Sequence, residues 1–149
     1  MRRAIIALVS VPMAVLGLAA CGDDGGDGGE TVDVLLSEFI VEPDPTEVSA
    51  GEIEFVADNQ GGEVHELVVV RADSAEDLPT DADGAVDEAQ IPEADQLGEI
   101  EDIQPGDSAT LTLDLEAGTY VLLCNIVEEE DGEVESHFAE GMHAPFTVT

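Results

Sequence analysis

The sequence predicts an all-β fold, a Greek-key β-sandwich that begins near residue 31, on three observations. Apolar residues after residue 30 recur with a period of two, and helical periodicity is hard to find there. Turn signals such as Asn59-Gln60-Gly61-Gly62 and Ala117-Gly118 separate the apolar runs. The runs are short, numerous and closely spaced, which is typical of an antiparallel sandwich.

The predicted strands differ in whether one face or both faces are apolar. In the run that Gly51 opens, Ile53, Phe55 and Ala57 lie on one face and acidic residues on the other. Residues 64–71 contain the unbroken apolar run Leu67-Val68-Val69-Val70, as expected of a strand that is covered on both faces. The predicted strands, in chain order, are residues 32–41, 51–57, 64–71, 110–115, 120–124 and 146–148.

Residues 72–107 interrupt this series of strands. The segment contains Pro79, Pro92, Pro105 and many acidic residues, and it lies away from the cysteine and histidines in sequence. Proline and unpaired charge disfavour the interior of a sheet. We therefore expect a surface excursion with at most a short helix or strand and no chemical site.

The first 20 residues have the composition of an export signal. Arg2 and Arg3 precede an apolar run over residues 4–18, which is too short to span a bilayer comfortably. Leu18-Ala19-Ala20-Cys21 resembles the bacterial lipobox, in which the cysteine is lipidated and becomes the mature N-terminus. An ordinary signal or membrane anchor with an incidental Cys21 is the alternative.

The lipobox resemblance implies a signal peptide over residues 1–20, a tether over residues 21–30 and a folded domain over residues 31–149. The tether combines glycine with like-charged aspartate, so it cannot bury apolar area and is expected to be flexible. The mature protein would be exported and anchored to the outer face of the cytoplasmic membrane by a lipid on Cys21. The remaining domain is long enough for one hydrophobic core.

The acidic composition excludes several classes of partner. The chain has 36 acidic residues against three arginines, a formal net charge of −33. From Cys21 onward only Arg71 opposes the 36 carboxylates, which gives −35. Such a surface repels nucleic acid and anionic lipid headgroups. Because the acidic residues are spread along the chain, we interpret them as an adaptation to high salt, and a docking face for a cationic partner is the alternative.

Few side chains after the signal can bind a soft metal or act as a nucleophile. Cys124 is the one cysteine left if Cys21 is lipidated, so it has no partner for an intramolecular disulfide. The histidines and the one methionine of this part of the chain are His65, Met142, His137 and His143. Taken singly, each of these residues has a structural interpretation, as a histidine whose ring nitrogens are hydrogen-bonded or as a core residue. Their order indicates a site, because three of them follow Cys124 closely and the fourth begins an apolar strand.

The donor atoms in this set indicate copper. Two imidazoles, one thiolate and a weak axial thioether form the trigonal site that suits copper in electron transfer. Zinc favours a tetrahedral set with more thiolates or imidazoles and gains little from methionine. A cysteine hydrolase is another interpretation of Cys124 with a histidine, but the sequence lacks a Gly-rich or helix-start context for the nucleophile.

Three stretches resemble the cupredoxins, the blue-copper proteins of the plastocyanin type. Gly118-Thr119-Tyr120-Val121-Leu122-Leu123-Cys124 is similar to the strand that leads to the family's cysteine ligand. His137-Phe138-Ala139-Glu140-Gly141-Met142 is similar to its last histidine and axial methionine. Residues 50–65 are similar to the region that leads to its first histidine. The resemblance covers most of residues 32–149 outside the acidic excursion.

The resemblance implies one type 1 copper per chain, bound by His65, Cys124, His137 and Met142. His143 follows Met142 directly and would point to the opposite side of a strand, so we expect it near the site or on the surface, with a ligand role as the alternative. In most cupredoxins only a few residues separate the cysteine from the next histidine, whereas twelve, residues 125–136, intervene here. An insertion that loops out would leave the ligands in place.

The implied function is the transfer of single electrons between redox partner proteins, by a monomer that is not an enzyme. Three histidines and one spare cysteine are too few for a multicopper oxidase, a copper nitrite reductase or a binuclear copper centre. The alternative is an extracytoplasmic carrier or buffer that holds Cu(I) with the same ligands. A carrier usually exposes several methionines or histidines, and the single methionine after the signal favours electron transfer.

Overall fold

Eleven strands form the part of the chain that the computed structural model describes, residues 29–130 and 132–149. The predicted signal peptide, the lipid-attachment residue Cys21 and residues 22–28 of the predicted tether lie outside the described residues. The strands are β1 (Glu30–Ser37), β2 (Ile40–Asp44), β3 (Glu47–Val48), β4 (Gly51–Asn59), β5 (His65–Arg71), β6 (Gln96–Ile103), β7 (Ser108–Leu115), β8 (Gly118–Leu123), β9 (Val127–Glu130), β10 (Glu133–Ser136) and β11 (His143–Val148). None of the described residues forms a helix long and apolar enough to cross a membrane.

Two sheets build the sandwich that the sequence predicts. The first has the strand order β2-β1-β4-β7, and the second has the order β3-β11-β8-β5-β6. Most neighbours are antiparallel, as expected, but β1 pairs with β4 and β3 pairs with β11 in parallel. The parallel pair β1–β4 arises because the chain leaves the first sheet after β2, passes through β3 in the second and returns beside β1.

The core lies between the two sheets and follows the period-two pattern of the sequence. Val32, Val34 and Leu36 of β1 are fully buried, while the residues between them are more exposed. Phe55 of β4 meets Phe146 of β11 across the sandwich, with ring centroids 5.4 Å apart. Full burial of one such apolar side chain stabilises the fold by about 1.5–3 kcal/mol. The alternation predicted for β4 is therefore confirmed. The single strand predicted over residues 32–41 is instead two strands, β1 and β2, which a turn after Ser37 joins into an antiparallel pair.

Strand β5 is covered on both faces, which explains its unbroken apolar run from Leu67 to Val70. Leu67 and Val69 belong to the core between the sheets. Val68 and Val70 face the other way, into a second apolar cluster. That cluster is completed by residues of the acidic segment, of β8 and of the last turn, namely Leu78, Val86, Ile91, Val121, Leu123 and Phe138.

The acidic segment contains more regular structure than the sequence predicts. It begins with three short 3-10 turns at Ala75–Asp77, Glu88–Gln90 and Glu93–Asp95. It then forms β6, an eight-residue edge strand that pairs antiparallel with β5. The expectation of at most a short helix or strand was therefore too low, and the segment covers the outer face of the second sheet.

The insertion between Cys124 and His137 is a β-hairpin rather than a simple loop. Strand β9 pairs antiparallel with β10, with Val127 opposite Ser136. The hairpin ends at Ser136, one residue before His137, so its position and that of the histidine are linked.

Candidate metal centre

The predicted ligands meet at one end of the second sheet because neighbouring strands begin or end there. His65 is the first residue of β5, and Cys124 directly follows β8, which runs antiparallel to β5. Met142 directly precedes β11, the other neighbour of β8. His137 directly follows β10. The rigid ends of hydrogen-bonded strands thus hold three of the four side chains.

His65, Cys124 and His137 form a compact group of potential ligands. One ligand atom from each of them lies within 4.8 Å of the other two. The Cys124 Sγ lies 3.3 Å from the His137 Nδ1, and the two imidazole centroids are 5.2 Å apart. All three residues are 0% exposed, so the group is closed to bulk water.

Met142 is fully buried and joined through its backbone to two of these residues. Its N–H donates to the His137 carbonyl at 2.9 Å, and its own carbonyl accepts from the Cys124 N–H at 3.0 Å. The tight turn from His137 to Met142 includes Gly141, whose φ of 101° favours glycine. The structure therefore places Met142 beside the group, and its role as the axial ligand stays a prediction.

The imidazole nitrogens of the group are buried without ordinary partners. Both ring nitrogens of His65 and the Nε2 of His137 make no hydrogen bond. Buried polar groups are nearly always paired, and an unpaired one costs about 1–3 kcal/mol. Burial lowers the pKa of His65, and the neighbouring His137 lowers it further. A neutral imidazole with a free nitrogen is the form that binds a metal ion.

The Cys124 thiol has the environment of a metal ligand rather than of a nucleophile. Burial raises its pKa to about 11, against the lowering effect of the Ile126 and Glu66 backbone N–H groups. A catalytic cysteine is instead accessible and has a lowered pKa. The Glu66 N–H lies 3.5 Å from the sulfur, as a weak donor to it. A bound cation would provide the charge that a buried thiolate needs.

A buried asparagine fixes the turn that leads to His65. The side chain of Asn59 donates to the carbonyls of Glu63 and Ile103, both at 2.8 Å, and accepts from the Gly61 N–H at 2.9 Å. A Cβ on Gly61 would lie only 2.9 Å from the His65 Nε2. Glycine is therefore required where the turn approaches the imidazole.

The acidic segment, in which the sequence predicted no chemical site, supports the chain after Cys124. The Asn125 side chain accepts from the Val86 N–H at 2.6 Å and donates to the Val86 carbonyl at 3.0 Å. The Asn125 N–H donates to the Glu66 carboxylate at 2.9 Å, beside His65. Burial raises the pKa of Glu66 to about 6. These bonds join β5, the chain after β8 and the acidic segment around the site.

His143 lies in β11, outside the His65–Cys124–His137 group. Its ring packs beside Phe138 with centroids 5.1 Å apart, and the residue is half-buried. His143 thus lies near the site, and the expectation that it is not a ligand stays a prediction.

Sequence reasoning missed Glu63, which lies beside the second imidazole. Its carboxylate Oε2 is 3.7 Å from the His137 Nε2. Burial and the nearby Glu128 raise the pKa of Glu63, whereas His137 lowers it. Nothing in the sequence distinguishes this carboxylate among 36 acidic residues except its place two residues before His65.

Comparison with known proteins identifies the fold. No protein-family model and no curated protein sequence matches the chain. Reduced auracyanin from Roseiflexus castenholzii is 24% identical with a TM-score of 0.58, over 82% of this chain and 99% of that one. Auracyanin A, a "blue" copper protein from Chloroflexus aurantiacus, is 19% identical with a TM-score of 0.53, over 82% and 100%. Rusticyanin from Thiobacillus ferrooxidans is 20% identical with a TM-score of 0.52, over 82% and 79%.

These likenesses extend over nearly the whole described chain. The fold is therefore the cupredoxin-like β-sandwich, and the expected fold class is confirmed. At such low identities the likeness concerns the fold alone. What the chain binds has to be argued from its own residues.

Proposed function

We propose that this chain is a mononuclear type 1 copper protein that carries single electrons between redox partners outside the cytoplasmic membrane. The observation that carries the proposal is the fully buried group of His65, Cys124 and His137, whose ligand atoms lie within 4.8 Å of one another. The unpartnered nitrogens of His65 support it, because a metal ion would satisfy them. The likeness to auracyanin A, which is described as a "blue" copper protein, is consistent with the proposal.

The donor set fits copper. Two imidazoles and a thiol close to one another, with the fully buried Met142 beside them, match the ligands of a trigonal site with a weak axial thioether. Bound copper would supply a one-electron couple between Cu(I) and Cu(II). The residues of the chain hold the donors in place, exclude water and limit rearrangement between the two states.

Backbone hydrogen bonds resist rearrangement of the site. Cys124 and His137 are each bonded to Met142, as described above. The His137 N–H also donates to the Ile126 carbonyl at 2.9 Å, which ties the hairpin to the chain after Cys124. A site held by several strands suits fast electron transfer, because little energy is needed to reorganise it.

Burial of the ligands also favours electron transfer over copper delivery. A carrier that hands Cu(I) to another protein needs accessible donor atoms, whereas all four predicted ligands are 0% exposed. Electrons can tunnel through a closed protein shell that a copper ion cannot cross. We therefore place the copper-carrier function second.

The proposed location of the protein rests on its N-terminal sequence. The export signal and the lipobox-like Leu18-Ala19-Ala20-Cys21 support a protein anchored by a lipid on Cys21 at the outer face of the cytoplasmic membrane. The partners would be redox proteins, and the strongly acidic surface disfavours nucleic acid.

Voltammetry of the copper-loaded protein tests the proposed function. An electron carrier should give fast, reversible one-electron waves and should release Cu(I) only slowly to a competing chelator. Slow, irreversible waves together with rapid release of Cu(I) would favour the carrier function. A wild-type protein that does not bind copper would contradict both.

A further inference from the structure

The second imidazole of the site is covered by protein on its outer edge. His137 Nδ1 faces the Cys124 sulfur at 3.3 Å, so it is the nitrogen that would bind a metal ion held by Cys124. The opposite nitrogen, Nε2, points away from the sulfur and is also buried. The Phe39 ring packs edge-on against the His137 ring with centroids 5.9 Å apart. His137 is thus enclosed on both sides.

A carboxylate lies in front of the enclosed nitrogen. The Glu63 Oε2 is 3.7 Å from the His137 Nε2, and both atoms are buried with no other hydrogen-bond partner. When the Nδ1 of a neutral imidazole binds a metal ion, the Nε2 carries the proton and acts as a donor. A small movement of either side chain would bring the two atoms into hydrogen-bond distance.

This inference rests on the proposed copper function: we propose that Glu63 is a positioning residue that accepts a hydrogen bond from the Nε2–H of His137 and biases the site toward the oxidised state. Carboxylate–histidine–metal arrangements of this kind fix the tautomer and orientation of the ligand and raise its basicity. A negative charge beside the ligand stabilises Cu(II) more than Cu(I), because Cu(II) carries one more positive charge.

The turn before β5 is built to place Glu63. The Glu38 carboxylate accepts from the backbone N–H groups of Gly62 and Glu63. The Asn59 side chain donates to the Glu63 carbonyl at 2.8 Å. Both peptide groups of Glu63 are therefore held, and its side chain extends from a fixed point toward His137.

The inserted hairpin places a second carboxylate beside this arrangement. Glu128 of β9 has a carboxylate oxygen within 4.8 Å of the ligand atoms of Glu63 and His137. A second cation bound by these three residues would have to remove the Nε2 proton. The hydrogen-bond arrangement requires no such loss, and it accounts for the two unpartnered buried atoms with groups that are already present.

Two substitutions of Glu63 separate its charge from its hydrogen bond. Glu63→Gln keeps an acceptor but removes the charge, so the preference for Cu(II) over Cu(I) should fall by about tenfold. For a one-electron couple this is an increase of about 59 mV in the reduction potential. Glu63→Ala removes the acceptor as well, so the His137 Nε2–H signal in NMR spectra of the Cu(I) protein should also exchange faster with water.

Glu129→Gln is the matched control. Glu129→Gln makes the same change of charge as Glu63→Gln, and Glu129 is the neighbour of Glu128 in β9. Glu129 is exposed, however, and adjacent residues of a strand point to opposite faces. Its potential should stay close to that of the wild type. Thermal unfolding of the copper-free variants checks that each one is folded.

The outcomes distinguish this inference from the proposed function. A wild-type protein without a blue charge-transfer band would overturn both. A blue wild-type protein whose potential is unchanged in a folded Glu63→Gln variant, or changed equally in Glu129→Gln, would overturn the role of Glu63 alone. Loss of the Nε2–H signal when one equivalent of Zn²⁺ is added to the copper-loaded protein would also overturn it, in favour of a second cation site.

Discussion

The chemistry of the centre depends on a few side chains whose polar atoms are buried beside one another. His65 and Cys124 would each be unfavourable in a dry interior without a partner, since burial opposes a charged imidazole and a thiolate. A bound metal ion offsets this cost because it takes the free nitrogen and stabilises the thiolate. The residues that reduce the stability of the empty fold are thus the ones that would bind copper.

The two histidines near the C-terminus should differ sharply when they are replaced by alanine. His137→Ala should weaken copper binding or change the spectroscopic type of the site, because one of the three clustered donors is lost. His143→Ala should change little, because its ring packs beside Phe138 outside the group. Visible and electron paramagnetic resonance spectra of the copper-loaded variants measure the difference. A blue band that survives in His137→Ala and disappears in His143→Ala would show that the second imidazole is assigned wrongly.

At the scale of elements, the connection from β4 to β5 determines where the first imidazole lies. Asn59 at the end of β4 is fully buried and makes three hydrogen bonds with backbone groups of the connection and of β6. Asn59→Ala should reduce the free energy of unfolding of the copper-free protein by about 3 kcal/mol, because it leaves buried backbone groups without partners. Urea unfolding measures the change.

The neighbouring Gln60 is the control for this prediction. Its side chain is exposed and bonds only to Asp58 at the surface. Gln60→Ala should therefore alter the free energy of unfolding by less than about 0.5 kcal/mol. Equal losses in the two variants would mean that the Asn59 bonds do not stabilise the connection.

Strands with one or two apolar faces could be predicted from the sequence, because their burial pattern is local. β1, β4 and β5 were found in this way, and the order of His65, Cys124, His137 and Met142 indicated the site. β6 was missed because only Leu97, Ile100 and Ile103 mark its inner side, among acidic residues and across an irregular pairing with β5. An edge strand of this kind can be identified only when the strand with which it pairs is known.

The β9–β10 hairpin could not be predicted for a related reason. Its sequence is acidic on both strands, so no apolar alternation marks it. Its Glu128 lies near His137 and Glu63, and Glu63 belongs to the turn before β5, which is distant in sequence. The sequence therefore indicated an insertion but not that the insertion would place a carboxylate beside a ligand.

For the whole molecule, the dominant property is the negative charge. Arg71 is the one basic residue other than histidine in residues 29–149, and it is shared between Tyr120 at 2.9 Å and Glu116 at 3.5 Å. The remaining carboxylates crowd a small surface and repel one another. This repulsion opposes the folded state at low ionic strength.

The thermal midpoint of unfolding should therefore rise as sodium chloride is added from the millimolar to the molar range. The Debye length shortens from about 30 Å at 0.01 M to about 3 Å at 1 M, which screens the repulsion. Sucrose serves as the control, because it favours the compact state by exclusion without screening charge. A midpoint that does not respond to salt would contradict the interpretation of the acidic surface as an adaptation to high salt.

The most direct test of the copper centre is the visible absorption spectrum of the Cu(II)-loaded protein, compared with that of Cys124→Ser. We expect the wild-type protein to be intensely coloured by charge transfer from the thiolate to copper. The serine variant should be folded but colourless, because a hydroxyl cannot replace the soft thiolate donor. A wild-type protein that binds Cu(II) without this band, or a serine variant that keeps it, would contradict the assignment of a type 1 site to His65, Cys124 and His137.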